Sequence, residues 1–541
     1  MPVTPRDQIV TDEMAYSKDT SPVWQIGKAE RLFRRTWLFQ WTLRGRSETP
    51  LLVGFPDHWR GSASRGSAIM TSGTAWRITE PGFERFDWLR DLRSFGGSQA
   101  RSRARALIAN WINRNARWDL IGWRPDIIAT RLANLIFCYD WYAGSAEESF
   151  QQFLAKSVQQ QARCLALDWR RLARADDRIT ALKGLFIAKA ALGASLEDLD
   201  KLMDLLIDLI DSRLYDDGGH KSRMPDQHLA IMRDLIEIRN ARPVKELSTV
   251  KWLDNTIARM GAVCRMWRHG DGQFARFNGA GLKDPDIIEE TLARSGQKGK
   301  LLQLAPQTGF VRFSSGRSTI IMDTGSPVGD ADITGLSTLG FEFSVGQNLL
   351  VVNPGQIISE TNFQRLLEST NAHSTLTIDG ISSSDFASGR VASVADLNIG
   401  PAEGGFLAVA SHNGYAPSHG IIHQRKLYLT TGGGNLRGAD RLEYTGAPGQ
   451  IGRLATVRFH LHPRVTAAIL NDQRILIKIR GNRTGWTFRA SGTVSLDTSL
   501  FFDISGRMSC QQIVVAMPLD AIRSVGAVDI KWAFQRNDSG S

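Results

Sequence analysis

Apolar residues recur at helical spacing through the first part of this chain and at strand spacing through the rest. Between Ser195 and Leu214 the apolar positions are 196, 199, 202, 203, 206, 209 and 210, which share one helical face, and Ser195 and Asp198 are spaced as a capping box. Similar periodicity over about 85–95, 98–115, 124–143, 147–173, 178–192, 225–241 and 247–268, broken at Gly96-Gly97, Trp123-Arg124-Pro125 and Gly193, predicts helix after helix with short connections. Such a run packs as stacked helical hairpins. No repeat of fixed length is present, so a regular solenoid is not expected.

From residue 308 to 535 the pattern changes to short apolar runs separated by turn residues. They are Gly309 to Phe313, Ser318 to Met322, Phe341 to Phe343, Leu349 to Val352, Ser374 to Ile378, Leu407 to Ser411, Lys426 to Thr430, Ala455 to His462, Arg474 to Arg480, Thr493 to Leu496 and Gln511 to Ala516. These read as strands of an antiparallel β-sandwich or layered sheet. Thirteen of the fifteen tryptophans precede residue 300, which marks the same division. The expected organisation is a less regular region over 1–80, a helical domain over 81–277, a connection over 278–307 and a β domain over 308–541.

Charge adds a partner class. The net charge is +11, with 46 Lys and Arg against 37 Asp and Glu in residues 1–300, and 20 against 18 afterwards. Arginine's planar fork suits carboxylates and sulfates, so an acidic polymer is the natural partner; a nucleic acid rests on charge alone and is not expected. Cys138, Cys164, Cys264 and Cys510 show neither metal spacing nor dense pairing and are expected as buried thiols. No stretch approaches the ~20 apolar residues that span a bilayer. The opening MPVTPRDQIVTDEM lacks a basic-then-apolar signal, which makes the cytoplasm the default expectation and the periplasm the alternative if the start is truncated.

Several segments carry a resemblance. Val352-Asn353-Pro354-Gly355, Ala372-His373-Ser374-Thr375-Leu376-Thr377-Ile378-Asp379-Gly380, Ser411-His412-Asn413-Gly414-Tyr415 and Asp216-Asp217-Gly218-Gly219-His220 together resemble motifs of the heparinase II/III family of polysaccharide lyases. The resemblance implies an incomplete α/α toroid of helical hairpins followed by an antiparallel β-sandwich, and β-elimination on an acidic, uronate-containing polysaccharide or oligosaccharide. Elimination needs a group that neutralises the uronate carboxylate, a base for the C5 proton and an acid for the leaving oxygen. Carried onto this chain, the resemblance makes His220, His373, His412 and Tyr415 the catalytic candidates, with Arg178, Arg223 and Arg425 binding substrate. His220 and Arg223 are expected on an inter-helix loop, Gly414 is expected to form a turn that exposes Tyr415, and the set is expected to meet in one cleft.

The chain also departs from the family pattern. Gln227 in Met224-Pro225-Asp226-Gln227-His228 stands where the family's catalytic tyrosine is placed, and Arg178 falls where its Asn-His pair lies. The family's zinc-binding run falls on Ile333 to Ser337, with Gly335 inside it, and its aspartate on Asn353, leaving His373 alone; no metal or cofactor is expected. Asp330 and Asp332 are weighed as shifted ligands, and His460-Leu461-His462 as a strand pair that metals use, against solvated aspartates and hydrogen-bonded histidines. Two functions stay open: a lyase, and a non-catalytic or redirected acidic-polysaccharide-binding protein.

Overall fold

The computed structural model describes residues 24–537 apart from 25, 45–50, 72–80, 282–283, 297–300, 330–334, 356–365, 447–451, 483 and 504–505. The chain divides into two compact units, one of residues 1–213 and 230–257, the other of residues 214–229 and 258–541. The division therefore differs from a single break near residues 277 to 308, because the segment carrying His220 and Arg223 belongs with the sheets.

The first unit is helical. Its first described helices are the short α1 (Lys28–Arg34) and α2 (Trp37–Thr42), in the region where the periodicity is weak. The helix expected at Ser195 runs Leu196–Arg213, and Ser195 Oγ accepts from the amide of Asp198 at 3.2 Å, the first half of the capping box. Helices Pro125–Phe137 and Ala175–Ala191 are buried on nearly all sides. They approach closely because residue 184 is glycine: a Cβ there would lie 2.4 Å from Ala129 Cα.

A buried charge network crosses this unit. Lys183 Nζ lies 2.8 Å from Asp234 and 2.7 Å from Glu237, and the other oxygen of Glu237 accepts from Trp59 Nε1 and Arg90, both at 3.0 Å. Arg90 and Arg93 each reach Asp57 at 2.9 Å, and Arg233 stacks 3.8 Å over the Trp59 ring. Burial disfavours an ionised Glu237, yet Lys183 and Arg90 outweigh it and hold the carboxyl down at about 2.

The second unit contains two antiparallel sheets, their strands numbered along the chain. In spatial order one sheet is β1 (Leu304–Ala305), β2 (Phe310–Ser315), β3 (Ser318–Asp323), β4 (Phe341–Val345), β5 (Asn348–Val352), β11 (Leu454–Leu461), β16 (Gly506–Pro518) and β15 (Thr493–Asp503), with β6 (Leu376–Ile378) also paired to β11. The other is β12 (Val465–Ile469), β13 (Ile475–Ile479), β14 (Trp486–Ala490), β17 (Ala527–Arg536), β10 (Asn435–Tyr444), β9 (Ile421–Thr430), β8 (Gly405–His412) and β7 (Val394–Ala402). Their inner faces share one apolar core. Phe341 of β4 stacks on Trp532 of β17 at 5.6 Å, and Phe343 meets Trp486 of β14 edge-on at 5.3 Å. β10 escapes the apolar pattern because Arg437, Arg441 and Glu443 alternate with its inward Leu436 and Leu442, as a half-solvated strand requires. Among the described residues no helix is long and apolar enough to cross a membrane.

Replacing Lys183 by Met should remove the cation shared by Asp234 and Glu237, leaving Glu237 with Arg90, and cost about 3–5 kcal/mol in urea unfolding of the full chain. Lys201→Ala, which breaks only the exposed Lys201–Glu197 pair, should cost less than about 0.5 kcal/mol. Because the Glu237 carboxyl is depressed from 4.5 to about 2, its stabilisation is complete above pH 4.5 and lost as pH falls toward 2.

Candidate functional site

Alternation along β9 decides where its polar residues go. Ile421, His423, Arg425, Leu427 and Leu429 point inward, while Lys426 and Tyr428 point outward. His423 and Arg425 are thus inside the sandwich, fully buried, and both bond Asp440 Oδ1 of β10 at 2.7 Å. Trp532 Nε1 donates to the other Asp440 oxygen at 2.8 Å. Arg425 also donates to the carbonyls of Leu339 and Ser374 at 2.8 and 2.9 Å, so it is committed inside the fold. Burial opposes ionisation of Asp440, but Arg425 and His423 hold its carboxyl far below the usual range.

His412 extends this network, and its tautomer follows from its partners. Gly414 N donates to His412 Nδ1 at 3.0 Å, so the ring proton sits on Nε2, which donates to His423 Nδ1 at 3.0 Å; His423 in turn donates from Nε2 to Asp440. Burial, then the neighbouring His423, pushes the basicity of His412 well down. Tyr415 packs 5.5 Å from the His412 ring. Its exposure is corrected by the structure: the side chain is 0% exposed, and the hydroxyl donates to Leu376 O at 2.8 Å. The turn at Gly414 directs the ring into the core because that position packs against the backbone of Ser383, where a Cβ would lie 2.2 Å from the carbonyl oxygen. Burial raises the phenol far above its ordinary range.

His220 and Arg223 have other partners. His220 is fully buried, with Nδ1 2.7 Å from Ser222 Oγ and its amide donating to His228 Nδ1. Arg223 adopts φ 59° and pairs with Asp323 at the end of β3, while donating to the carbonyls of Thr308, Ser326 and Gly309. Gly325 makes room for it, since a Cβ there would meet the guanidinium carbon at 2.4 Å. The reading of Arg223 and Arg425 as open substrate arginines is therefore corrected: each guanidinium is buried in an ion pair and carbonyl cage. Arg178 belongs to the helical unit and donates to Leu172 O at 2.6 Å. Gln227, in the first turn of helix Pro225–Asn240, is half-buried, and its carboxamide does not act as a proton-accepting base near neutral pH.

Around the positions that the zinc pattern would use, another network is built. Glu342 Oε1 accepts from the amides of Asn353 at 2.9 Å and Arg276 at 3.1 Å, its Oε2 lies 3.1 Å from His269 Nε2, and Asn353 Oδ1 accepts from Ser374 N at 3.0 Å. A side chain at Gly335 would run into Asn278 backbone 2.8 Å away. His373 is buried, with burial and His460 lowering it to about 3. His460 bonds Ser499 Oγ at 2.7 Å and Asn371 O at 3.1 Å, while His462, beyond the end of β11, packs on Phe501. These residues do not fit zinc. Asp330 and Asp332 lie outside the described residues.

A cluster of accessible cations lies on the outer face of the second sheet. Lys426, Tyr428, Arg437, Arg489 and Lys531 surround an open depression of about 570 Å³ floored by Leu407, Ala439 and Ala533, and no carboxylate lines it. Strand register gives the pattern: Arg437 and Arg489 flank Ala533, and Lys426 and Lys531 flank Ala439. Each cation pair is two strands apart, roughly 10 Å, with a small residue between. The Tyr428 hydroxyl donates to Glu403 O at 2.6 Å, fixing its ring beside Arg437.

Residues 297–533 match the family model described as Heparinase II/III-like, C-terminal. The β region therefore carries a heparinase II/III-like C-terminal domain. Among solved structures it is similar to the heparinase III BT4657 gene product, with a TM-score of 0.67 at 13% identity, covering 92% of this chain and 88% of that one. Heparan sulfate lyase HepC from Pedobacter heparinus gives a TM-score of 0.63 at 13% identity, over 86% and 78%. The helical region followed by antiparallel sheets is thus the toroid-plus-sandwich fold of heparinase III. A curated relative, FtsZ-localized protein C from Caulobacter vibrioides, is 27% identical over 475 residues, 84% of this chain and 81% of its own length.

Sequence reasoning missed Asp440, Trp532, Glu342 and His269 as polar anchors of this heparinase II/III sandwich. The signal for Asp440 was its inward phase between Leu436 and Leu442. Asp440→Ala should cost about 3–5 kcal/mol by stranding Arg425, whereas Tyr415→Phe should cost about 1 kcal/mol. His228, His373 and His460 are held by burial at about 3, 3 and 4 against 6.5 unfolded. Their contribution is intact above pH 6.5 and falls by about 1.4 kcal/mol per pH unit per histidine below it, so urea midpoints should drop steeply between pH 6.5 and 5.

Proposed function

We propose that this chain is a non-catalytic member of the heparinase II/III family that binds an acidic polysaccharide through the outer face of its second sheet. The observation that carries the reading is the contrast between two sets of residues. Tyr415, His220, His373 and His412 are buried, whereas Lys426, Arg437, Arg489 and Lys531 stand exposed around a tyrosine in a depression without carboxylates. Gln227 at the position of the family's tyrosine supports the same reading, because an amide cannot take the C5 proton.

A sheet face has its main-chain groups already paired, so it offers an extended peptide no free edge to join. It does offer a ring for a sugar to stack on and cations at regular separation for carboxylates or sulfates. The relative's name adds a place: we infer that the binding happens where FtsZ assembles, which co-sedimentation with FtsZ polymers would test.

Elimination and binding are separated by incubating the protein with alginate, heparan sulfate and polygalacturonate while following both ultraviolet absorbance of the unsaturated product and affinity electrophoresis. Retardation without absorbance change is expected. The combined Lys426→Gln, Arg437→Gln, Arg489→Gln and Lys531→Gln variant should bind roughly 10- to 100-fold more weakly, with less dependence on salt. A rise in absorbance would return the protein to the lyase reading; a loss of roughly 10²- to 10⁴-fold in Tyr415→Phe or His220→Ala would then mark the acid or base.

A further inference from the structure

The helical unit carries an apolar cluster on its outside. Helices α1 and α2 form a hairpin whose inward side is well anchored. Arg34 pairs with Asp168 and, at 2.7 Å, with Glu30; Phe39 and Leu43 are buried; and Thr36 caps α2 by accepting from Phe39 N. Those anchors leave Leu32, Phe33, Trp37, Leu38 and Trp41 facing water, with Leu32, Trp37 and Trp41 at 69%, 71% and 62% exposure. Trp37 and Trp41 are four apart and share one side of α2. Five large apolar side chains within ten residues are not scattered surface hydrophobics.

Charge selects the occupant. Lys28, Arg31, Arg35 and Arg44 are all exposed on the same short segment, and its acidic residue, Glu30, is turned to Arg34 and Arg171. A second copy docked by this face about a two-fold axis would bring the same four cations against one another. An anionic bilayer satisfies both halves of the pattern: indole rings partition to the headgroup region, leucine and phenylalanine enter the acyl boundary, and cations meet phosphate headgroups.

We propose that residues 28–44 are a membrane-surface docking element, seating Trp37, Leu38 and Trp41 in an anionic bilayer while Lys28, Arg35 and Arg44 engage its headgroups. The element lies on the membrane without spanning it, and it acts whether or not the sheet face binds a glycan.

The full chain is sedimented with vesicles of phosphatidylcholine containing phosphatidylglycerol, and with vesicles of phosphatidylcholine alone. Binding to the anionic vesicles is expected, with weaker binding to the neutral ones. Trp37→Ser with Trp41→Ser should lower the partition coefficient roughly 10- to 100-fold, as loss of two buried rings predicts, with an unchanged thermal midpoint because both are exposed. Arg35→Gln with Arg44→Gln should weaken anionic binding and spare the neutral background. Wild-type protein that stays in the supernatant, or a double-tryptophan variant that sediments as wild type, overturns the proposal. A dimer in sedimentation velocity that the same tryptophan changes abolish would assign the face to a second copy instead.

Discussion

The sandwich is organised around one carboxylate. Asp440 sits where an antiparallel strand has only inward neighbours, and an isolated charge there would be prohibitively costly. It is tolerated because Arg425 and His423 come from the facing positions of the next strand and Trp532 from the strand on the other side. Arg425 then carries the connection across the core, to carbonyls at Leu339 and Ser374 in the loops of the first sheet. His412 and Tyr415 pack onto this centre, which explains why this segment concentrates histidines and a tyrosine whose side chains are buried.

The same economy governs the positions where the family pattern places chemistry. Asn353 lacks a carboxylate's charge but keeps its place by bonding Glu342 and Ser374, and Glu342 is in turn held by His269 and the Arg276 amide. Arg223 retains a guanidinium, closed within a cage of carbonyls and paired with Asp323. Polar groups buried in a fold must be satisfied, and once each has an internal partner it holds loops in place instead of meeting a ligand. A scaffold can thus persist while its accessible chemistry moves to another surface.

The proposed recognition of a polyanion and the proposed attachment to a bilayer would draw on different physics, at sites in different units of the chain. On the outer sheet face, fixed cations around a small-residue floor would discriminate by geometry, and salt would weaken their hold on an anion. At α1 and α2 the proposed driving force is burial of exposed apolar side chains, with the neighbouring cations selecting an anionic lipid.

Periodicity alone determined the order of architectures, the helix from Leu196 with its Ser195 cap, and most strand cores, because these depend on local spacing and burial of one face. The short motifs around Asn353, His373 and His412 were legible enough to indicate the family, since their turns and strands depend on neighbouring residues. Whether a given side chain meets solvent was not written there. Tyr415, His220 and Arg223 have the residue types of an active site, and the packing of distant segments, such as Leu376 over Tyr415 and Asp323 against Arg223, keeps them from solvent. The basic face likewise arises from strands β9, β10, β14 and β17, whose cations are up to about a hundred positions apart in sequence and become neighbours only through sheet register. Exposure is a property of what lies across from a residue, and a one-dimensional pattern names the residue without naming what covers it.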